Sequence, residues 1–170
     1  MAPGRRRRLI LLSDANVVMD LGYVGGLRLL PLLGQCEVLS TVLLECACEA
    51  QPGLVDQIIA AGIISVEVER PLIEAAMNHP NQLISLQDRQ CLIYAQEQGR
   101  VLLTGDKFLR DAADAGGVEY HGSVWLVEQA MALGTFNRDE LCGWLNMWPL
   151  RQRRLPKGEL LRLRGFLNCT

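Results

Sequence analysis

Four carboxylates in this sequence stand at positions where their side chains could carry out chemistry together. They follow predicted strands or lie in predicted helices: Asp14, Glu45, Asp88 and Asp106. Functional sites in open parallel sheets form beyond the carboxyl ends of the strands, where Asp14 and Asp106 are expected. Clustered carboxylates repel one another unless a cation lies between them, and such oxygen ligands favour Mg²⁺ or Mn²⁺. A cation held there would activate water and stabilise the charge that develops on a phosphodiester during its hydrolysis, so the pattern indicates phosphodiester hydrolysis.

Each carboxylate also has a purely structural interpretation. An aspartate directly after a strand often caps the next helix, which applies to both Asp14 and Asp106. Asp88 lies three residues after Ser85 and can form the acidic half of a capping box. Glu45 lies in an apolar run, where a solvated glutamate is unusual unless it faces a cleft. Only the occurrence of all four carboxylates together therefore indicates a shared site.

The elements that would position these residues alternate between short strands and helices. Apolar runs predict five strands, over 8–13, 36–39, 63–68, 101–103 and 118–120. Helical patterns lie between them, over 17–33 with a glycine turn, from Ser40 or Thr41 to about 50, from Pro52 to 62, and over 71–78, 85–98, 106–115 and 123–133. Strands joined by crossover helices pair in parallel. The expected fold is a three-layer α/β/α domain whose central, mostly parallel sheet has about five strands.

The pattern changes after Gly134 to a helical, arginine-rich extension over 135–170. Asn137 is expected to cap its first helix and Pro149 to end it. The tryptophans at helical spacing with leucines are interpreted as core or interface residues rather than as base-stacking platforms: Trp125, Trp144 and Trp148. We expect a basic arm over 1–7, one domain over 8–134, and an extension that packs on that domain or on a partner.

Composition and charge limit the classes of protein that fit. With 170 residues, 49% hydrophobic and 21% charged, the chain is expected to form one folded domain and not to be disordered. The net charge of −2 conceals a division. Arg5 to Arg8 contribute +4 and 138–170 another +4, whereas 9–137 carries −10. The basic ends point to a polyanion partner.

The cysteines and the chain start exclude several other classes. None of the six cysteines forms a CxxC pair, which argues against a zinc site. Their apolar surroundings predict buried free thiols, and a domain of this size needs no disulfide, so we expect a reducing cytoplasm. Only four apolar residues, 9–12, follow the first arginines, too few for a secretion signal. The chain has no run of 18 apolar residues, so we expect no membrane helix.

Several motifs, in this order and spacing over 8–134, resemble a PIN domain. They are Ser13-Asp14-Ala15-Asn16, Leu44-Glu45, Ser85-Leu86-Gln87-Asp88-Arg89, Leu103-Thr104-Gly105-Asp106-Lys107-Phe108-Leu109-Arg110 and Val118-Glu119-Tyr120-His121-Gly122-Ser123-Val124-Trp125-Leu126. Within that superfamily the chain is most similar to the VapC-type toxin ribonucleases of toxin-antitoxin pairs. The resemblance implies a PIN-like fold and an Mg²⁺- or Mn²⁺-dependent endoribonuclease.

The resemblance also assigns roles to residues. The metal ligands that position the attacking water would be Asp14, Glu45, Asp88 and Asp106. Asn16 and Thr104 match positions that support these carboxylates by hydrogen bonding. The RNA backbone would be contacted by the basic side chains Arg5, Arg6, Arg7, Arg8 and Lys107. The implied partners are RNA, a small antitoxin whose segment covers the acidic cleft, and a second copy of the chain.

Two other interpretations remain beside this one. A PIN-like scaffold without catalysis could bind RNA or a protein, although all four acidic positions are filled. A phosphoacceptor domain of the response-regulator type needs an aspartate after the third strand, where this chain has Val68 and Glu69. Among nearby residues, Asp111 and Asp114 are expected to be solvated, and His121 to be structural.

Overall fold

The computed structural model of the protein describes residues 9–153 and 155–170. The predicted basic arm over 1–7 and the predicted RNA contacts of Arg5 to Arg8 lie outside these residues. In the described chain, five strands occur: β1 Ile10–Ser13, β2 Gln35–Leu39, β3 Ile64–Val66, β4 Val101–Leu103 and β5 Tyr120–His121. The helices are α1 Ala15–Tyr23, α2 Leu29–Leu33, α3 Ser40–Cys46, α4 Leu54–Ala60, α5 Arg70–Met77, α6 Leu86–Gln98, α7 Lys107–Ala115, α8 Ser123–Leu133, α9 Arg138–Leu150 and α10 Lys157–Leu167.

All strand pairs are parallel, and the strand order is β3-β2-β1-β4-β5. In chain order, β2 and β3 therefore lie on one side of β1, and β4 and β5 lie on its other side. This makes the boundary between β1 and β4 a switch point, where the helices that follow the two strands diverge. The prediction of a three-layer α/β fold with a parallel sheet is confirmed.

The central strands lie fully inside the molecule because helices cover both faces of the sheet. Leu11 and Leu12 of β1, and Leu102 and Leu103 of β4, have no exposed surface. Their continuous apolar sequence is typical of strands in a parallel sheet, where neither face meets water. A single hydrophobic core runs from these strands to the helices at the end of the chain.

Three local predictions were wrong in detail, and each has a physical reason. Pro52 does not begin α4, because Gly53 next to it has a φ of 77°, a left-handed conformation, and the helix begins two residues after Pro52, at Leu54. Neither Ser40 nor Thr41 caps α3, since their hydroxyls bond Val68 N–H and Gln90 instead. Pro149 does not end α9 but lies in its last turn. No described helix is both long and apolar enough to cross a membrane.

The helical C-terminal segment packs onto the sheet domain and shares its core. Trp144 and Trp148 of α9 are 1% and 0% exposed, which confirms their prediction as core residues. The indole N–H of Trp148 donates to the carbonyl of Asp20 in α1, at 2.7 Å. A Cβ at Gly26 would approach the Trp144 ring to 2.9 Å, so only glycine lets this loop lie against the indole. The extension is therefore fixed on α1 and the loop after it.

The prediction that all cysteines are free was wrong for two of them. Cys142 of α9 and Cys169, after α10, form a disulfide, with Cα atoms 5.5 Å apart. The remaining cysteines, all among the described residues, are free: Cys36, Cys46, Cys48 and Cys91. Local sequence gave no indication of the bond, because 27 residues separate the two positions and only the packing of α10 on α9 brings them together.

This disulfide is expected to stabilise the extension measurably. Replacing Cys142 with serine should lower the free energy of unfolding by about 2–4 kcal/mol, since the cross-link closes a loop in the unfolded chain. Urea denaturation of the oxidised wild type and of Cys142→Ser measures the difference. The control, Cys48→Ser, removes a free, half-buried thiol and should change little. Equal losses in the two variants, or six titratable thiols in the unreduced, denatured protein, would contradict the bond.

Candidate active site

The register of the two central strands brings two of the predicted carboxylates to one edge of the sheet. Ser13 pairs with Leu103 at the ends of β1 and β4. The N–H of Asp14 donates to the carbonyl of Leu103 at 3.0 Å. Asp106 follows β4 by three residues and begins α7. Asp14 and Asp106 thus lie at the carboxyl edge of the sheet, at its switch point.

Both aspartates also cap helices, as the structural interpretation predicted. Asp14 Oδ1 accepts from Val17 N–H at 2.9 Å, and Asp106 Oδ1 accepts from Leu109 N–H at 2.8 Å. These bonds fix each side chain and leave the second carboxylate oxygen for another partner. In Asp14, which is 1% exposed, Oδ2 is buried and has no hydrogen-bond partner among the described residues. A buried acceptor of this kind marks a place where a ligand would be stabilising.

The other two carboxylates lie on α3 and α6, which a side-chain hydrogen bond holds together. Thr41 donates to Gln90 Oε1 at 2.6 Å, one turn of helix from Glu45 and close to Asp88. Asp88 N–H donates to the Ser85 hydroxyl at 3.0 Å, so the predicted cap of α6 is present. Asp88 is half-buried and Glu45 is exposed. Glu45 therefore lies at the outer rim of the group.

The electrostatics show that the four carboxylates share one region. Burial, with a smaller contribution from the charges of Asp88 and Asp20, raises the pKa of Asp14 to about 7, against the lowering effects of hydrogen bonding to Thr104 and to the Val17 N–H. Burial and the charge of Asp106 raise the pKa of Asp88. Partial burial and the charge of Asp88 raise the pKa of Glu45. Asp88 thus interacts with each of the other three.

A buried thiol beneath these groups gives a second indication that they converge. Cys91 of α6 is fully buried, and burial raises its pKa well above the ordinary value. The charges of Asp14, Asp88 and Glu45 raise it further. The charges of carboxylates from three elements therefore act on this one sulfur, which is consistent with their lying in one region. The protonated thiol serves as apolar packing below the charged group.

The donor chemistry of this region fits a divalent cation such as Mg²⁺ or Mn²⁺. Carboxylate oxygens are the ligands these ions prefer, and the free Oδ2 of Asp14 is available. As they stand, no three histidine, cysteine, aspartate or glutamate side chains of the described residues are grouped to hold a metal ion. The residues fit the ion by the type of their oxygen donors and by the free oxygen of Asp14, and Asp14, Glu45, Asp88 and Asp106 are the ones that would hold it.

The predicted supporting residues have different partners. Thr104 is fully buried, and its hydroxyl accepts from Asp106 N–H at 3.1 Å, which holds the loop that carries this carboxylate. Asn16 is exposed, and its side-chain oxygen accepts from Arg153 at 3.1 Å rather than contacting a carboxylate. Lys107 is exposed and paired with Asp111 at 2.7 Å. Only Thr104 has a supporting contact with the acidic group.

Sequence reasoning missed an ion pair at the edge of the acidic group. Asp20 of α1 is 8% exposed and pairs with Arg153, which follows α9. Asp20 Oδ2 also accepts from the Ser123 hydroxyl at 2.8 Å. Burial raises the pKa of Asp20, while the charge and hydrogen bond of Arg153 lower it. Asp20 and Asp106 line one cleft, of about 310 Å³, together with Arg153. This cleft is the acidic cleft of the protein.

Asp20 could have been found from the sequence, but Arg153 could not. Asp20 stands between Met19 and Leu21, at helical spacing from Val17. It therefore lies on the apolar face of its helix, which is the face expected to pack on the core. An acidic residue on such a face needs a partner. The partner lies 133 residues further along the chain, and only the packing of α9 against α1 brings it to this position.

Comparisons with known proteins give one family match and two solved structures to which the chain is similar. The model of the DUF3368 family, described as a PIN domain, matches residues 10–156. A crystal structure of PAE2754 from Pyrobaculum aerophilum is similar, with a TM-score of 0.54 and 15% identity over 72% of this chain and 90% of that one. A PilT N-terminus domain protein, SSO1118 from Sulfolobus solfataricus P2, gives a TM-score of 0.46 and 11% identity over 73% and 92%. No functionally curated protein gave a significant match.

The raised pKa of Asp14 predicts a pH-dependent stability in the absence of divalent cations. The folded protein keeps a proton on Asp14 up to a pH of about 7, whereas the unfolded chain releases it at about 3.9. The free energy of unfolding should therefore fall as the pH rises through this window, by up to about 4 kcal/mol. Urea denaturation in EDTA, at pH values of about 5 and about 8, should show roughly 2–3 kcal/mol of this change, because part of it has already occurred below pH 5. Asp14→Asn should lack this component, and equal slopes for both proteins would contradict it.

The Asp20–Arg153 pair is expected to contribute more to stability than an exposed pair of the same kind. Arg153→Ala leaves a buried carboxylate without its cation, so the free energy of unfolding should fall by about 3 kcal/mol. The matched control is Arg28→Ala, which breaks a 2.5 Å pair with Glu140 in which the arginine is 54% exposed. Arg28→Ala should lower the free energy of unfolding by less than about 1 kcal/mol. Equal losses in urea denaturation would contradict the stated role of burial.

Proposed function

The chain belongs to the PIN-domain family, a fold that is generally a nuclease, and from this premise we propose that it is an Mg²⁺- or Mn²⁺-dependent endoribonuclease. The observation that carries the proposal is Asp14, a buried carboxylate with a free oxygen at the switch point of the sheet. Asp106 lies at the same edge, and Asp88 interacts with both. Hydrolysis of an RNA phosphodiester is the reaction that suits this arrangement.

The proposal gives each carboxylate a defined task. The cation would be held by Asp14, Glu45, Asp88 and Asp106, and the helix caps at Asp14 and Asp106 keep those two side chains oriented for it. Glu45, at the exposed rim, would accept a hydrogen bond from the attacking water and orient it. Thr104 would keep the loop of Asp106 in place through its bond to the backbone N–H.

A bound divalent cation supplies the charge that makes water a better nucleophile and offsets the charge on the phosphodiester. The chain supplies the position of the reaction and restricts water on the inner side. Asp14 and Thr104 form a floor that is almost inaccessible to solvent. The RNA strand would then lie across the open side, between Glu45 and the cleft beside Arg153.

The resemblance to VapC-type ribonucleases leads to the proposed partners and place of action. We propose that the protein acts in the cytoplasm as the toxin of a toxin-antitoxin pair; this location follows from the resemblance alone, because the Cys142–Cys169 disulfide removes the argument from free cysteines. A small antitoxin would cover the acidic cleft with one of its segments, and two copies of the chain would form a dimer. A short reading frame that overlaps the gene upstream would support the antitoxin.

The second candidate function is a PIN-like scaffold that binds RNA or a protein without cleaving it. The exposed position of Glu45 and the absence of a closed metal-binding group in the described residues favour this candidate. Calorimetry with Mn²⁺ separates the two. The nuclease should bind Mn²⁺ below millimolar concentrations with release of protons from the acidic group, whereas a scaffold should show no binding.

The central test is the replacement of one ligand with its amide. Asp106→Asn keeps an oxygen for the cap of α7 but removes a negative charge from the proposed metal site. RNA cleavage should fall by more than about 100-fold. Mutation of residues that only orient metal ligands already lowers metal affinity or activity by roughly 10–100-fold, and loss of a ligand should lower it more. Cleavage of tRNA and mRNA in Mg²⁺ or Mn²⁺ measures the loss.

The matched control is Asp111→Asn, on the same helix as the cap. Asp111 is exposed and bonds only to Lys107 at 2.7 Å among the contacts of the described residues, so its removal should leave cleavage within about twofold of wild type. Circular dichroism should show both variants folded. Full activity in folded Asp106→Asn would contradict the proposed site.

A further inference from the structure

A second cavity, of about 430 Å³, adjoins the acidic cleft. The two share Asp20 and Gly105 in their walls, and the acidic cleft is also lined by Asp106, one of the proposed metal ligands. Its other walls come from α7, from β5 and the start of α8, and from the segment before α10. An RNA strand that places one phosphodiester at the acidic cleft would therefore bring an adjacent nucleotide to this cavity.

The cavity contains a preformed pair of stacked aromatic rings. The rings of His121, at the end of β5, and Trp125, in the first turn of α8, lie 4.1 Å apart and within 9° of parallel. Both residues are half-buried, unlike the core residues Trp144 and Trp148, which are 1% and 0% exposed. Trp125 also packs against the hydrophobic core, and the part of its indole that stays accessible lines the cavity from a fixed position. Flat, rigid rings of this kind bind nucleobases by stacking.

The cavity also has a cation at its boundary with the acidic cleft. Arg110 donates to the carbonyl of Gly105 at 3.1 Å and forms no ion pair with any carboxylate in the described part of the chain. In contrast, Arg162 on the far wall is neutralised by Glu128 and Glu159, each at 2.6 Å. The uncompensated charge therefore lies on the side that faces the acidic cleft. A phosphate that leads from cleft to cavity would meet it there.

We propose that this cavity binds one nucleotide of the substrate RNA next to the scissile phosphate, with the base on Trp125 and a phosphate on Arg110. The inference rests on the proposed ribonuclease function, and it assigns the adjoining nucleotide a binding site of its own. His121 acts as a positioning residue, because its ring holds the indole from the other side. The site would bind bases by their faces and so accept more than one base.

Tryptophan fluorescence tests the site separately from cleavage. Because Trp144 and Trp148 are buried, quenching by a single-stranded RNA reports on Trp125. The titration uses Asp106→Asn and a mixed-sequence RNA of about ten nucleotides, because this variant is expected not to cleave the RNA during the measurement. We expect saturable quenching and its loss in Trp125→Phe. With the Kd of every variant measured by the fluorescence anisotropy of a labelled copy of the same RNA, we expect little change in Trp125→Phe and a Kd about tenfold weaker in Trp125→Ala. The matched control Phe166→Ala, an exposed aromatic on α10, should bind as before.

The salt dependence of binding tests the cation. Arg110→Gln should reduce the slope of log Kd against log salt by about 0.7, the value for one phosphate contact on a single strand. The control Arg138→Gln, which removes an exposed arginine at the start of α9, should leave the slope unchanged. An unchanged slope in Arg110→Gln would remove the phosphate contact from the proposal.

The outcomes separate this inference from the proposed function. Cleavage by the wild type with no quenching, and with Trp125→Ala equal to wild type in KM, would overturn the nucleotide site and leave the ribonuclease standing. Quenching by RNA without any cleavage would support the site and overturn the ribonuclease. Quenching by an acidic peptide but not by RNA would assign the cavity to a protein partner and overturn the proposal. Trp125→Phe retains a ring, so its result holds even if Trp125→Ala fails to fold.

Discussion

The rest of this structure depends on the burial of one carboxylate, that of Asp14. A charged group removed from water is costly unless hydrogen bonds or an opposite charge compensate for it. The fold supplies one N–H from α1 and leaves the second oxygen without a partner among the described residues. The neighbouring carboxylates add repulsion rather than relief. An acidic group in this condition favours a proton or a cation, and this preference is what makes the edge of the sheet a candidate site.

The surrounding elements serve two purposes at once. The aspartates after β1 and β4 cap helices, and those caps are what hold their side chains in fixed orientations. Asp88 likewise belongs to the first turn of α6 and to the acidic group. The structural and functional interpretations of these residues are therefore compatible, because a cap uses one carboxylate oxygen and leaves the other. A cap also places the side chain at the end of a strand, where helices diverge and ligands have access.

The C-terminal segment completes the site rather than merely covering the domain. The packing of α9 on α1 buries two tryptophans and brings Arg153 to Asp20, beside the acidic cleft. The disulfide between Cys142 and Cys169 holds α10 to α9 beyond this point. The wall of the second cavity before α10 depends on the same arrangement. The family match, which runs to residue 156, includes Arg153 and thus the part of the extension that reaches the cleft.

The sequence alone determined the features that depend on neighbours along the chain. Continuous apolar runs predicted β1 and β4, helical spacing and Gly99 predicted α6, and the position of Asp14 and Asp106 after their strands followed directly. Contacts between distant segments were decided only by the tertiary structure. The Arg153 ion pair, the Cys142–Cys169 bond and the exposure of Trp125 beside a cavity all arise from packing of elements far apart in sequence. Local patterns determine which surfaces of the helices and strands must be buried. Many segments of the chain could pack on such a surface, and which segment does so is decided only in the folded protein.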